Sequence, residues 1–256
     1  ALSKNLEKLS SGYKINRAGD DAAGLAISET MRSQINGLNQ AVNNANDAVG
    51  LIQTAEGALT ETHSMLQRMK TLTTQAANGT YTKTARDNIQ AEINALNKEI
   101  GRIATTTEFN GEKPLSPAVA AGKTANLTFF IGASADKANA MTVAQQAMTQ
   151  TALKINTISV KTTTLAFAAM KSVDAAIETV SSYRATLGAA QNRLEHTVNN
   201  LKVTSENITS AESRIRDTDM ADEITAYTKN NILLQAAQSM LSQSNAMPQG
   251  VLSMLQ

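Results

Sequence analysis

Apolar residues return every three or four positions along most of this chain, which is the signature of helices that bury one stripe. Leu2, Leu6, Leu9 and Tyr13 form a short seam of this kind. Gly12 and the run Asn16–Gly19 interrupt it. Asp20 and Asp21 then precede the Ala-rich run AAGLAISETM, where carboxylates serve as an N-cap for orphan backbone N–H groups. From there Met31, Ile35, Leu38, Val42, Ala45, Val49 and Ile52 alternate spacings of four and three. With a shift, Leu59, Leu66, Met69 and Leu72 carry the seam toward Asn78-Gly79. A helix of roughly 55 residues at about 1.5 Å each would be roughly 80 Å long, and must lie along another helix.

A second helix is predicted from Thr84 to about Thr105, with Ile89, Ile93, Leu96, Ile100 and Ile103 on its seam. The short link before it folds it back antiparallel on the first. A third is predicted from Ser172 to about Asp217, on Val173, Ile177, Val180, Leu187, Leu194, Val198, Leu201, Ile208 and Ile215. Between them the pattern changes. Asn110-Gly111 is a turn dipeptide, and Pro114 and Pro117 oppose a helix. NLTFFIG and AMTV read as short strands, and the β-branched INTISVKTTT as a further one. After a joint at Asp217, Thr218 and Asp219, a last helix starts near Met220.

The expected class is mainly α: an elongated antiparallel bundle of long helices, a coiled-coil-like rod, with a small β-containing tip and both helical termini at the same end. The corresponding segments are 1–15 and 218–256 as a terminal helix pair, 16–111 and 171–217 as the two halves of the rod, and 112–170 as the tip.

The last stretch, from Asn230 to Gln256, holds no Asp, Glu, Lys or Arg. One apolar stripe passes Ile224, Tyr227, Leu234, Leu241, Leu252 and Leu255, and another passes Leu233, Ala237, Met240, Met247, Val251 and Met254. A surface helix of a monomer has one stripe and a charged face. Two stripes separated by amides and hydroxyls imply packing on two or more sides, with no charge to desolvate. The seam at Leu2, Leu6 and Leu9 supplies one neighbour, and further copies of the chain supply the rest. Pro248 is expected to bend or end this helix.

Composition narrows the chemistry. The formal net charge is +1, so nothing electrostatic points to nucleic acid or an acidic membrane. The absence of Cys removes disulfides, thiolate metal sites and a catalytic thiol. Aromatic residues make up only 3%, few for a compact core. No cleavable signal sequence is expected from a start carrying Lys4, Glu7 and Lys8, and no run of about 20 apolar residues predicts a membrane span. The chain starts at Ala1 within its seam, which implies preceding residues. His63 and His196 are far apart and outside any H-E-x-x-H pattern, and the Gly-containing runs AGDDAAG and IGASAD lack a phosphate-loop Lys. No enzyme, cofactor or metal is expected. Three Asn-x-Thr triplets, at Asn78, Asn126 and Asn207, are read as chance.

The segments LSSGYKINRAGDDAAGLAISETM, FNGEKPL and AESRIRDTDMADEITAYTKNNILLQAAQSMLSQSNAMPQGVLSMLQ resemble bacterial flagellin, the subunit of the flagellar filament, over roughly Leu2–Leu115 and Leu165–Gln256. The resemblance implies paired terminal helices in a filament core, a surrounding rod, and here a minimal form with little outer domain. It implies self-assembly through Leu2, Leu6, Leu9, Leu233, Leu234, Met240, Leu241, Val251, Leu252 and Leu255. It also implies type III export to an extracellular flagellum, an export chaperone at the C-terminal helix, and hook-associated and cap proteins as further partners. The hook–filament junction protein and a non-assembling secreted helical binding protein are the alternatives. LQRMKTLTTQAAN resembles the segment read by the host Toll-like receptor for flagellin. That places Gln67, Arg68, Leu72 and Gln75, with Ile89 and Glu92 of the next helix, on an expected exposed ridge.

Overall fold

The computed structural model describes residues 2–116 and 126–254, with side chains through residue 245. Pro117 and Leu255 lie outside the described residues. The chain is mainly α. Helices α1 (Leu2–Ser11), α2 (Ala22–Ala77) and α3 (Lys83–Thr106) are followed by strands β1 (Asn126–Phe130) and β2 (Ala140–Ala144), then by α4 (Thr163–Arg216) and α5 (Met220–Met254). It divides into two compact units, Gly37–Lys202 and Ala1–Asn36 with Val203–Gln256.

In the first unit α3 runs antiparallel to α2, since Arg68 meets Glu92 while the Arg86 Nε donates to the Ala76 carbonyl. Helix α4 also runs antiparallel to α2, with Lys70 paired to Asp174 and Arg184 to Glu56. Ile52, Leu59, Leu66, Met69 and Leu72 of α2, Ile93 and Ile100 of α3, and Val173, Val180, Leu187 and Leu194 of α4 share one buried core. Three helices give three stripes that close on one another, which is how such stripes leave water. Strands β1 and β2 pair antiparallel with Thr128 opposite Thr142. They rest against the same core through Met141 and Val143.

Two expectations here are corrected. INTISVKTTT is not a strand. Its backbone is taken by amide side chains of α3 instead of by a ladder. The buried Gln90 accepts from the Val160 N–H at 2.7 Å and donates to the Ile158 carbonyl at 3.1 Å. Asn97, one heptad on, donates to the Ile155 carbonyl at 2.7 Å. Helix α4 begins at Thr163 rather than Ser172, because the Thr162 hydroxyl accepts from the Leu165 N–H and Ala166 and Ala169 extend the buried stripe backward. The Asn110-Gly111 turn is as expected. Both residues have positive φ, 51° and 84°, and Phe109 and Glu112 exchange both backbone hydrogen bonds, the pattern of a two-residue hairpin turn.

In the second unit, α1 packs on α5. Asp21 caps α2 by accepting from the Gly24 N–H at 2.9 Å. The two joints of this unit are sewn together. The Lys14 N–H donates to the Arg216 carbonyl and the Thr218 N–H to the Gly12 carbonyl. The Arg216 guanidinium lies 4.6 Å from the centroid of the Tyr13 ring and pairs with Glu29 at 2.8 Å. It is mostly covered, at 13% exposure, so the cation is partly desolvated and the contacts count for more than on an open surface. Arg216→Ala is expected to lower the stability of this joint by about 1–2 kcal/mol. Urea denaturation followed by circular dichroism checks this, and Arg216→Lys should recover less than half the loss because ammonium cannot stack as a plane.

Candidate functional site

Helix α5 is the unusual surface of the molecule. From Ile232 to Asn245 every residue is exposed. Leu233 is 55% exposed, Leu234 47%, Met240 73% and Leu241 66%. Isolated apolar residues are normal on a surface, but clustered exposed apolar residues on an uncharged stretch of helix mark an interaction site. The cause is local. Helix α1 is only ten residues long and meets the start of α5, where Lys8 pairs with Glu223. Ala226, Tyr227, Asn230 and Asn231 are still half-buried, and from Ile232 to Asn245 nothing among the described residues covers α5. In α1, Leu6 is 48% exposed, while Leu2 and Leu9 are half-buried. Val251 and Leu252 lie on the helical backbone of α5. The helix continues past Pro248 to Met254, so the proline removes one intrahelical donor without ending the helix.

The ridge expected on α2 and α3 is rearranged. Gln67, Arg68, Gln75 and Glu92 are exposed. The Arg68 Nε donates to a Glu92 carboxylate oxygen at 2.8 Å. This hydrogen bond, and then the carboxylate's charge, raise the Arg68 pKa further above its ordinary value. Gln75 donates to the Tyr81 hydroxyl at 2.8 Å, and the Gln67 amide meets His63 Nε2 at 2.9 Å. Leu72 and Ile89, however, are buried, at 2% and 8% exposure. Leu72 does lie one turn from Arg68, but it completes the stripe Leu66, Met69, Leu72 and Ala76 that faces the core. Ile89 and Ile93 do the same on α3. The ridge therefore presents a cation, a carboxylate and amides, with no apolar knob.

Sequence reading missed the amide clamp of Gln90 and Asn97. A Gln or Asn on a helix reads as solvated, and only the seven-residue spacing on the apolar side of α3 hints otherwise. Groups of three or more His, Cys, Asp or Glu able to hold a metal are absent among the described residues.

The chain matches the description "Bacterial flagellin N-terminal helical region" over residues 1–120 and "Bacterial flagellin C-terminal helical region" over residues 170–255. It is 50% identical over 282 residues to a flagellin of Bacillus subtilis, covering 100% of this chain and 93% of that protein. It is 45% identical over 266 residues to flagellin FlaB2 of Treponema pallidum, covering 100% and 92%. Among solved structures, the crystal structure of Bacillus cereus flagellin aligns with a TM-score of 0.52 at 32% identity, covering 66% of this chain and 94% of that one.

Proposed function

This chain belongs to the bacterial flagellin family, and from that premise we propose how its parts divide the work of a filament subunit. The chain is a structural protein of the extracellular flagellar filament, it polymerises with itself for motility, and it is not an enzyme. In our reading, 1–15 and 218–256 form the filament-core helix pair, 16–111 and 171–217 the rod, and 112–170 a short variable tip. Polymerisation runs through Leu2, Leu6, Leu9, Leu233, Leu234, Met240, Leu241, Val251, Leu252 and Leu255.

One observation carries this reading: the large apolar side chains of α5 from Ile232 to Leu241 are exposed on a stretch of helix without charges. Lateral packing of such helices buries apolar area at about 25 cal/mol per Å². An export chaperone that covers the same helix would keep it from premature association. Hook-associated and cap proteins, built to sit at filament ends, would meet the same surface. Electron microscopy of the full chain, seeded with filament fragments, tests the assembly: long filaments support it, and persistent monomers above the concentration at which relatives polymerise refute it.

Detection by the host Toll-like receptor for flagellin is proposed at Gln67, Arg68, Gln75 and Glu92, with Leu72 and Ile89 shaping the ridge from beneath. The guanidinium is already oriented by its bond to Glu92, which lowers the side-chain entropy lost on docking. Arg68→Ala is expected to weaken binding of the monomer to the receptor ectodomain by about 2 kcal/mol or more, while the melting curve stays within error because Arg68 is exposed. Leu72→Ala is the informative contrast. It should cost about 2–5 kcal/mol of stability and affect binding only through that loss. Unchanged affinity for Arg68→Ala would remove the ridge from the receptor surface.

A further inference from the structure

The unit Gly37–Lys202 carries two open grooves of opposite charge. The first, of about 380 Å³, lies between α2 and the Phe109–Glu112 turn, with Phe129 of β1 at its side. The chain has only four Phe and no Trp, yet two of the four line this groove. Asp47 and Glu112 stand at its edge, and no Lys or Arg lines it. The second groove, of about 320 Å³, lies between the loop Ala152–Lys154 and α4. Lys154 and Lys171 line it, with no Asp or Glu. All four charged residues are exposed.

Three ion pairs on this unit join neighbouring helices: Lys70 with Asp174, Arg184 with Glu56, and Arg68 with Glu92. Among the described residues, Asp47, Glu112, Lys154 and Lys171 have no opposite charge within 4 Å. An acidic groove floored by aromatic rings suits a cation on an apolar stem. The rings contact the stem and attract the cation, and the carboxylates pair with it. Lysines are such groups. An open helical polymer also needs two different, complementary patches on each subunit, because a self-complementary patch closes into a dimer.

We propose that Asp47, Glu112, Phe109 and Phe129 of one copy receive the Lys154–Lys171 edge of the next copy in the filament. This contact rests on the assembly reading above and adds a second, charged interface to the apolar one at α5. Its exposed charges steer subunits into register more than they hold them, so it should weaken with salt.

The test is a charge swap in the full chain. Asp47→Lys with Glu112→Lys makes both edges basic. Lys154→Glu with Lys171→Glu makes both acidic. Each variant alone should polymerise poorly, with a critical concentration about tenfold or more above the parent, because like charges now meet. An equimolar mixture should polymerise at close to the parent's concentration, since every acidic edge again finds a basic one. Circular dichroism confirms that each variant is folded, as expected for substitutions at exposed positions. Parent filaments together with unimpaired single-type variants would overturn the interface and leave the α5 reading intact. Impaired variants that the mixture does not restore would also overturn it, because the residues then act other than as partners. A parent that never polymerises would overturn the assembly reading and this interface with it.

Discussion

Leu241→Asp should abolish filament formation while leaving the isolated chain as helical and as stable as the parent. The separation of the two effects follows from the structure. Leu241 is 66% exposed in the single chain, so an aspartate there meets water and folding stability should change by no more than about 0.5 kcal/mol. In a packed bundle of α5 helices the same carboxylate would be buried without a partner, in a stretch that contains no Lys or Arg to neutralise it. Burying an unpaired charge costs several kcal/mol. At 1.4 kcal/mol per tenfold, three such units of energy raise the critical concentration about a thousandfold. Sedimentation and electron microscopy read the polymer, and circular dichroism reads the chain. Leu241→Gln, uncharged and similar to its many neighbouring amides, should impair assembly far less. Filaments of Leu241→Asp at parental concentration would show that α5 is not a buried element of the polymer.

The same helix shows what a sequence can reveal. Residues such as Ile52, Leu59, Leu66 and Val180 announce themselves because each lies in a three-four repeat long enough to average out local noise. The long helices were legible for that reason, the short strands at Asn126 and Ala140 from strand-type segments within a helix-opposing region, and the uncharged terminal stretch from its composition. Leu72 has two readings, on the apolar seam by periodicity and on the exposed ridge by resemblance, and its burial at 2% exposure favours the seam. A stripe wide enough to meet two neighbouring helices covers a third of the circumference or more, and Leu72 falls inside it. The loop around Ile158 was misjudged. β-branched residues favour extended backbone, but extended backbone does not require a second strand. It requires that its N–H and C=O groups be satisfied, and here helix α3 supplies the partners from side chains 68 and 70 residues away in sequence. Long-range pairings of that kind leave no local periodicity to read.

That clamp leads to the largest stability effect expected in the Gly37–Lys202 unit from a polar residue. Gln90 is 8% exposed and Val160 is fully buried. Its amide works in both directions at once. The oxygen accepts from the Val160 N–H at 2.7 Å, and the nitrogen is shared between the Ile158 carbonyl at 3.1 Å and the Asn94 side chain at 2.9 Å. Gln90→Ala removes the partner of a buried donor and of a carbonyl together. Each orphaned group costs about 1–3 kcal/mol, so the unit should lose about 2–4 kcal/mol in denaturant. Gln90→Glu separates the two bonds. Its carboxylate still accepts from Val160 but cannot donate to Ile158, and it carries a charge into a covered site, so it too should destabilise. Amide hydrogen exchange supplies the local reading: the Val160 N–H should lose protection in Gln90→Ala well beyond the loss at Ile93, whose own backbone bonds lie within α3. A stability within about 0.5 kcal/mol of the parent, the range of an ordinary surface change, would show that water replaces the amide at no cost and that the 155–160 segment is held by packing alone.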